Sequence, residues 1–320
     1  MKKRILHLLN TSMYSGAENV VISIINNMNS DVECAYASLN GPIKEVLYKN
    51  KISYLPMKKM SIAEIRRVIK QFQPDIIHVH DFTTSIFVAA SGTKIPIFSH
   101  LHHNPPWIKT YHPYSFVYLI STLRYKKVLA VSNAILDEYV FGKNIVNKFI
   151  VISNPIDIKN ITDKAKTAST LREKYDIVFL GRLVTPKNPI RFIEIINRLS
   201  VHKPDIRVAM IGDGHLRSDC QNRIDDLKLS NNIELLGFLD NPYGILADSK
   251  ILCMTSDWEG FGLVAVEALT LGRPVISTSV GGVPGIVNND CGLLTNNDEE
   301  YVDEINKLLS DENYWNIKSQ

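Results

Sequence analysis

Residues 256–278 read SDWEGFGLVAVEALTLGRPVIST. One acid, Glu259, stands against the glycine loop Gly260-Phe261-Gly262, and a second, Glu267, follows eight residues later in an otherwise apolar run. A helix begun near Phe261 sets Glu259 just ahead of its N-terminus, where unbonded N–H groups and the helix dipole favour negative charge. Glu267 falls among Val264, Ala265, Val266, Ala268 and Leu269. A bare carboxylate there is costly unless it meets a polar partner such as a ligand hydroxyl. Either acid alone reads as a cap or a surface group; joined to the glycine loop, the pair makes this strand-to-helix turn a candidate ligand site.

Outward from that stretch, short apolar runs alternate with helical ones. DIVFLG, IRVAMIG, NNIELLGFL, KILCMTS and PVIST precede it or close it, with the helix NPIRFIEIINRLS between them. The first half repeats the plan: RILHLL, VECAYASL, DIIHVH, IPIFSHL, KVLAVS and FIVISN are strand-like, while AENVVISIINNM and SIAEIRRVIKQF are helical. In the latter, Ile62, Ile65, Val68, Ile69 and Phe72 share one face and Arg66, Arg67 and Lys70 the other. The polar stretch 157–175 sustains no period and reads as a linker. The pattern predicts an α/β chain of two Rossmann-like halves facing each other across a cleft, with domains 1–160 and 161–320. Ligands of open α/β sheets bind at the carboxyl ends of strands, so the strand-to-helix loops are where chemistry is expected.

The bulk properties agree. A chain of 320 residues, 45% hydrophobic, can bury two cores. Four scattered cysteines without a C-x-x-C pair exclude a disulfide framework or cysteine zinc site and suit a reducing cytosol. The apolar run after Met1-Lys2-Lys3-Arg4 stops at Asn10, too short for an export signal. Residues 1–160 carry 19 Lys and Arg against 10 Asp and Glu, and residues 161–320 carry 17 against 23, so the halves differ in sign, +9 and −6. The basic half suits an anionic surface. Lys58, Lys59, Arg66, Arg67 and Lys70, and the aromatic run Trp107, Tyr111, Tyr114, Phe116 and Tyr118 ahead of Arg124, Lys126 and Lys127, are its candidates for acidic lipid.

Two further loops carry chemistry. In NTSMYSGAEN, Gly16 lets N–H groups at a helix start approach an anion. In GRLVTPKN, Arg182 and Lys187 lie five residues apart, a guanidinium fork and a mobile ammonium suited to a diphosphate.

The series Gly16-Ala17-Glu18, GRLVTPKN, MIGDGHLR, LLGFL, EGFGLVAVEAL and GRPVISTSVGG resembles, in order and spacing, the retaining GT-B glycosyltransferases of family four, the group 1 enzymes of bacterial surface polysaccharides. The resemblance implies transfer of a sugar from a nucleotide-diphosphate sugar, a UDP-sugar, to a glycan or lipid-linked acceptor. It places the pyrophosphate on Arg182, Lys187 and the backbone near Gly16. The sugar falls to Glu259 and the N–H groups of Phe261, Gly262 and Leu263, the ribose to Glu267, and the base to Gly237, Phe238 and Leu239. It also sets a histidine at the end of a first-domain strand near the sugar. His102 of FSHLHHNPPW is the best match, with His100 on its face and His103 opposite by strand alternation; His78 and His80 end another strand.

No D-x-D motif is present, the nearest being Asp257-Trp258-Glu259, so neither metal nor cofactor is expected. Arg182 and Lys187 then meet the charge that develops on the leaving diphosphate. The expected partners are the nucleotide sugar, its acceptor and an anionic membrane surface, with no nucleic acid; the expected place is the cytoplasm and the inner face of the cell membrane. Two features depart from the family. Gly285 stands where GG-x-P is commonly followed by Glu, and the chain stops before a C-terminal crossover helix, which is expected to be missing. Both also suit a catalytically silent glycosyltransferase-like partner subunit. A nucleotide-cofactor oxidoreductase fits less well, since GDGHLR lacks the third glycine of G-x-G-x-x-G.

Overall fold

The computed structural model describes residues 2–14, 16–168 and 175–320. The chain divides into two compact units, Met1–Pro155 and Ile156–Gln320. The first holds β1 (Lys3–Leu8), α1 (Gly16–Asn26), β2 (Val32–Leu39), α2 (Ile43–Lys49), β3 (Ser53–Met57), α3 (Ile62–Phe72), β4 (Ile76–His80), α4 (Phe82–Ala90), β5 (Ile97–Leu101), α5 (Pro113–Ser121), β6 (Tyr125–Ala130), α6 (Ala134–Glu138), α7 (Gly142–Ile145) and β7 (Phe149–Val151). Its seven strands form one parallel sheet in the order β3-β2-β1-β4-β5-β6-β7. The alternation is the one read from the sequence, apart from β3. Pro56 masks that strand, and the edge of a sheet is where a missing N–H is tolerated.

The second unit holds α8 (Ile158–Ala168), β8 (Ile177–Leu180), α9 (Pro189–Ser200), β9 (Val208–Ile211), α10 (Arg217–Asp226), β10 (Ile233–Gly237), α11 (Tyr243–Asp248), β11 (Ile251–Met254), α12 (Leu263–Thr270), β12 (Val275–Ser277), β13 (Gly292–Leu294), α13 (Asp298–Ser310) and α14 (Glu312–Lys318). Its sheet is also parallel, ordered β10-β9-β8-β11-β12-β13. Helices cover both faces: Phe192, Ile193, Ile196 and Leu199 of α9 join Tyr301 and Ile305 of α13 in one core, and Ala265 and Ala268 of α12 join Ile245 and Leu246 of α11 in the other. Each fully buried large side chain contributes roughly 1.5–3 kcal/mol. Trp315 of α14 donates from its indole N–H to the Lys250 carbonyl at 2.9 Å, which fastens α14 to this unit.

The expected linker is corrected. Residues 158–168 are helix α8, and the 160/161 boundary falls inside it. Among the described side chains of this polar helix only Ile161 and Ala165 are buried, a four-residue spacing too sparse to show as a period. They pack α8 against α11 and α12. The rest of that expected linker, 169–174, lies outside the described residues.

Candidate active site

Each sheet reverses its strand order once: between β1 and β4 in the first, and between β8 and β11 in the second. At such a switch point the connections leave to opposite sides and open a crevice beyond the strand ends.

In the second unit the crevice is built by loops laid tightly against one another. The Asp257 N–H donates to the Pro186 carbonyl at 2.9 Å, and Thr255 Oγ1 to the Asn188 carbonyl at 2.9 Å. Asn188 Nδ2 donates to Asp257 Oδ1 at 3.0 Å. The loop after β12 joins them: Thr278 Oγ1 donates to the Ser256 carbonyl at 2.6 Å, and the Gly282 N–H to the Gly260 carbonyl at 3.0 Å. Such contact requires glycine. A Cβ at Gly281, where φ is +56°, would stand 1.7 Å from the Glu259 carbonyl oxygen.

On this frame Lys187 Nζ donates to Glu259 Oε1. Both side chains are mostly withdrawn from solvent, 22% and 11% exposed, and Ser256 Oγ lies 3.4 Å from the same carboxylate oxygen. Partial burial strengthens the pair relative to an exposed one. Thus the structure joins two of the sequence-derived residues, 72 positions apart. Arg182 shares the loop of Lys187 but is exposed and makes no ion pair among the described residues.

Helix α12 begins at Leu263, two residues later than expected, with Gly262 at φ +93° as its N-cap and no side chain capping it. Its first N–H groups, those of Leu263 among them, are open to an anion or a sugar oxygen. Phe261 precedes the cap. Glu267 finds the polar partner its surroundings demand: Tyr243 Oη donates to its Oε1 at 3.1 Å. Burial raises its pKa to about 7, against the opposing pull of the Tyr243 hydrogen bond and the Lys164 charge. Gly237, at φ +70°, ends β10; Phe238 beyond it is 63% exposed, and Leu239 packs on the α11–α12 core.

In the first unit the switch point is a cavity of about 220 Å³. Asn10 and Thr11 after β1, Asp81, Thr83 and Thr84 after β4, His103, Trp107 and Glu18 line it. Asp81 Oδ1 accepts from the His102 backbone N–H at 3.2 Å and lies 3.0 Å from His103 Nδ1. Burial opposes its ionisation, but the His103 charge and hydrogen bond prevail and its pKa falls to about 2. Asp81 also adopts φ +68°, a strained conformation for a non-glycine residue.

The histidine expectation changes here. His102 is buried and hydrogen-bonded to His80, whereas His103 stands on the cavity wall. His102 keeps the face of His100, as strand alternation predicts, but that face is buried in the sheet, while the opposite side, at His103, meets the cavity. Gly16 opens α1 in the first unit and is not among the groups the second unit brings together. Sequence reasoning missed Asp81, whose only signal was its place directly after IIHVH. It missed the cavity role of Glu18 as well, although that residue stood within the quoted Gly16-Ala17-Glu18.

Comparison with known proteins agrees with this architecture. Residues 161–319 match the family Glycosyl transferases group 1, and residues 14–160 match Glycosyltransferase Family 4. An uncharacterized glycosyltransferase of Methanocaldococcus jannaschii is 26% identical over 240 residues, covering 67% of this chain and 58% of that protein. The "GalNAc-alpha-(1->4)-GalNAc-alpha-(1->3)-diNAcBac-PP-undecaprenol alpha-1,4-N-acetyl-D-galactosaminyltransferase" of Campylobacter jejuni is 24% identical, covering 97% of this chain and 90% of that one. Among solved structures, HepE of Anabaena in complex with UDP superposes with a TM-score of 0.85 at 21% identity, covering 100% of this chain and 93% of HepE, a likeness of fold. Two parallel sheets, two family matches that together span residues 14–319, and relatives named for sugar transfer lead to one assignment: the chain belongs to the group 1, family 4-type glycosyltransferases of the GT-B fold.

Proposed function

We propose that the second unit binds a UDP-sugar and that its sugar is transferred, with retention of anomeric configuration, to a lipid-linked glycan acceptor held by the first. The observation that carries this reading is the Lys187–Glu259 pair at the second switch point. Without donor the ammonium is neutralised by the carboxylate. A diphosphate entering beside Arg182 takes over Lys187, and the released Glu259 accepts from sugar hydroxyls near the open N–H groups of α12. As the sugar–phosphate bond breaks, charge grows on the diphosphate where both cations already stand, which lowers the barrier without reorganisation. Glu267 receives the ribose hydroxyls, and Gly237 to Leu239 flank the base. The UDP donor is supported by HepE, solved with UDP and with UDP-glucose, and the acceptor class by the undecaprenol-linked substrate in the Campylobacter enzyme's name. In the first unit Asp81, His103 and Glu18 offer polar groups to acceptor hydroxyls.

Release of UDP from a panel of UDP-sugars tests the reading, run with and without EDTA. Turnover should survive the chelator, since two fixed cations serve the leaving group. No release from any donor would leave a silent partner subunit, and loss in EDTA restored by manganese would overturn the assignment of Arg182 and Lys187.

A lipid-linked acceptor calls for contact with a membrane surface. No helix of the described residues is long and apolar enough to cross a membrane. The aromatic run divides instead: Tyr118 is core, while Tyr111, Tyr114, Phe116, Ile120 and Leu123 on and beside α5 are 45–78% exposed, with Lys126 nearby. On α3 the arginines are already engaged, Arg67 with Glu64 at 3.1 Å and Arg66 with the Ser91 carbonyl at 2.9 Å. The α5 side is therefore the lipid-facing candidate. Flotation with phosphatidylglycerol vesicles should be strong at low salt, and Ile120→Asp with Leu123→Asp should abolish it; no binding by the unaltered protein would point to a soluble acceptor.

A further inference from the structure

Five of the nine histidines lie side by side in the first sheet: His7 on β1, His78 and His80 on β4, His100 on β5 and His102 just beyond it. Register makes this so, because His7 pairs with His78 and His80 with His100, while His78 and His80, and His100 and His102, alternate onto a common face. Neighbouring ring centroids are 4.3–5.6 Å apart. His7 Nδ1 lies 3.3 Å from His80 Nε2, and His80 Nδ1 lies 2.9 Å from His102 Nε2. His78 Nε2 and His100 Nδ1 are 3.2 Å apart.

Burial holds these imidazoles neutral, each with one N–H and one lone pair. Whichever way the protons point along the chain His7–His80–His102, one end keeps an unused N–H and the other an unused lone pair. Among the described residues both end atoms, His7 Nε2 and His102 Nδ1, are buried without a hydrogen-bond partner, as is His100 Nε2. Each such orphan costs about 1–3 kcal/mol. An apolar core would avoid that cost, so a cluster of imidazoles that leaves three orphans is poorly explained by packing alone.

We propose that the first unit binds one Zn2+ ion through His80, His100 and His102. One ring nitrogen from each lies within 4.8 Å of the others, and all three residues are buried. A tetrahedral zinc site with Zn–N bonds of about 2.0–2.1 Å has edges of roughly 3.4 Å, within reach of rotamer adjustment from strands already in register. The uncharged imidazole is the form that ligates, and its borderline softness suits zinc over magnesium or calcium. Asp81, next to His80 in the chain and bonded to the His102 backbone at 3.2 Å, places one negative charge beside the group, which offsets part of the ion's. The His7, His78 and His80 rings form a second such group, but it shares His80, so the cluster holds one ion at that residue rather than two. The inference is independent of the donor chemistry, which lies in the other unit.

Tag-free full-length protein, stripped with a chelator and exchanged into chelator-free buffer, should take up one Zn2+ per chain in a calorimetric titration with ZnCl2. It should gain thermal stability as zinc is added. Co2+ in place of zinc should give the intense visible d–d bands of a tetrahedral nitrogen-rich site. His80→Asn and His100→Gln should each weaken zinc at least about 100-fold, beyond the 10–100-fold typical of losing an outer-shell partner. His112→Gln and His202→Gln, outside the cluster, should bind as the unaltered protein does. Stoichiometric zinc retained by the His80 and His100 variants, or no uptake by the unaltered protein, overturns the proposal. Should both variants fail to fold, X-ray absorption on the unaltered protein decides: a first shell lacking three imidazole nitrogens refutes the site.

Discussion

The two units solve the same topological problem with different materials. Both place a crevice where a parallel sheet reverses its order. In the second unit that crevice is made by backbone: glycines let three loops touch, and Lys187, paired with Glu259, and the exposed Arg182 stand on the surface they create. In the first it is made by side chains, with Glu18, Asp81, His103 and Trp107 on its wall. The backbone-built crevice is suited to a polyanion, which needs donors and cations. The side-chain-built one is suited to neutral hydroxyls, whose recognition depends on position more than charge. A shared topology therefore sets where a ligand goes, and the loop chemistry sets what it is.

The largest expected effect is at Lys187. In the proposed mechanism its ammonium meets charge that appears as the donor bond breaks, so Lys187→Ala should lower kcat by about 100- to 1,000-fold with a smaller change in donor affinity. Steady-state kinetics and nucleotide titration separate the two. A loss confined to affinity would make the second crevice a passive binding surface and remove the contrast with the first.

Next come the adjacent histidines. His103→Ala removes a cavity-wall group and the partner of Asp81, and should cut kcat roughly tenfold or more with little change in melting temperature. His102→Ala breaks a buried hydrogen bond to His80 and leaves a void, so it should lower the melting temperature by several degrees. The reverse pattern, a stable His102 variant with collapsed turnover, would restore His102 as the sugar-facing residue.

This pair also shows where the sequence was legible. Long periodic elements such as α3 and the strand-like runs were readable because a repeat of apolar positions is itself the cause of burial. Glu259 and Lys187 were readable as candidates because glycine loops after strands leave few other uses for charge. What could not be read was which face is covered and where an element begins: that the His100–His102 face is buried while His103 meets the cavity, or that α12 starts at Leu263. Nor could the five-histidine cluster be read from single strands, since it exists only once the register of β1, β4 and β5 is known. Helix α8 escaped because two buried residues suffice to hold a polar helix when its partners come from distant sequence.

Glu267 gives a smaller, pH-dependent effect. With its pKa raised to about 7, the folded chain keeps a proton that the unfolded chain releases near 4.5. Its contribution to stability is therefore fully present below about 4.5 and is lost as pH rises through 7. On the proposed role of Glu267, affinity for UDP should move the opposite way, rising between about pH 6 and 8 as the carboxylate that would accept from the ribose hydroxyls forms. Glu267→Gln should flatten both profiles and weaken UDP several-fold. Unchanged profiles would mean that the carboxylate serves only Tyr243.

The smallest effect tests the backbone-built crevice most directly. Gly281 and Gly285 lie four residues apart in the loop after β12. A Cβ at Gly281 collides with the Glu259 carbonyl and takes a left-handed φ, whereas at Gly285 it meets nothing within 4 Å. Gly285→Ala should thus leave turnover intact and raise stability by about 0.4–1 kcal/mol, because the unfolded chain loses freedom while the folded one loses no contact. Gly281→Ala should be destabilised by more than that and should release the Lys187–Glu259 pair, since Glu259 is carried on the backbone it would push. Denaturant titration of the two variants reads the difference. Equal tolerance at both sites would show that the loops do not depend on close backbone approach, and the distinction between the two crevices would then rest on their side chains alone.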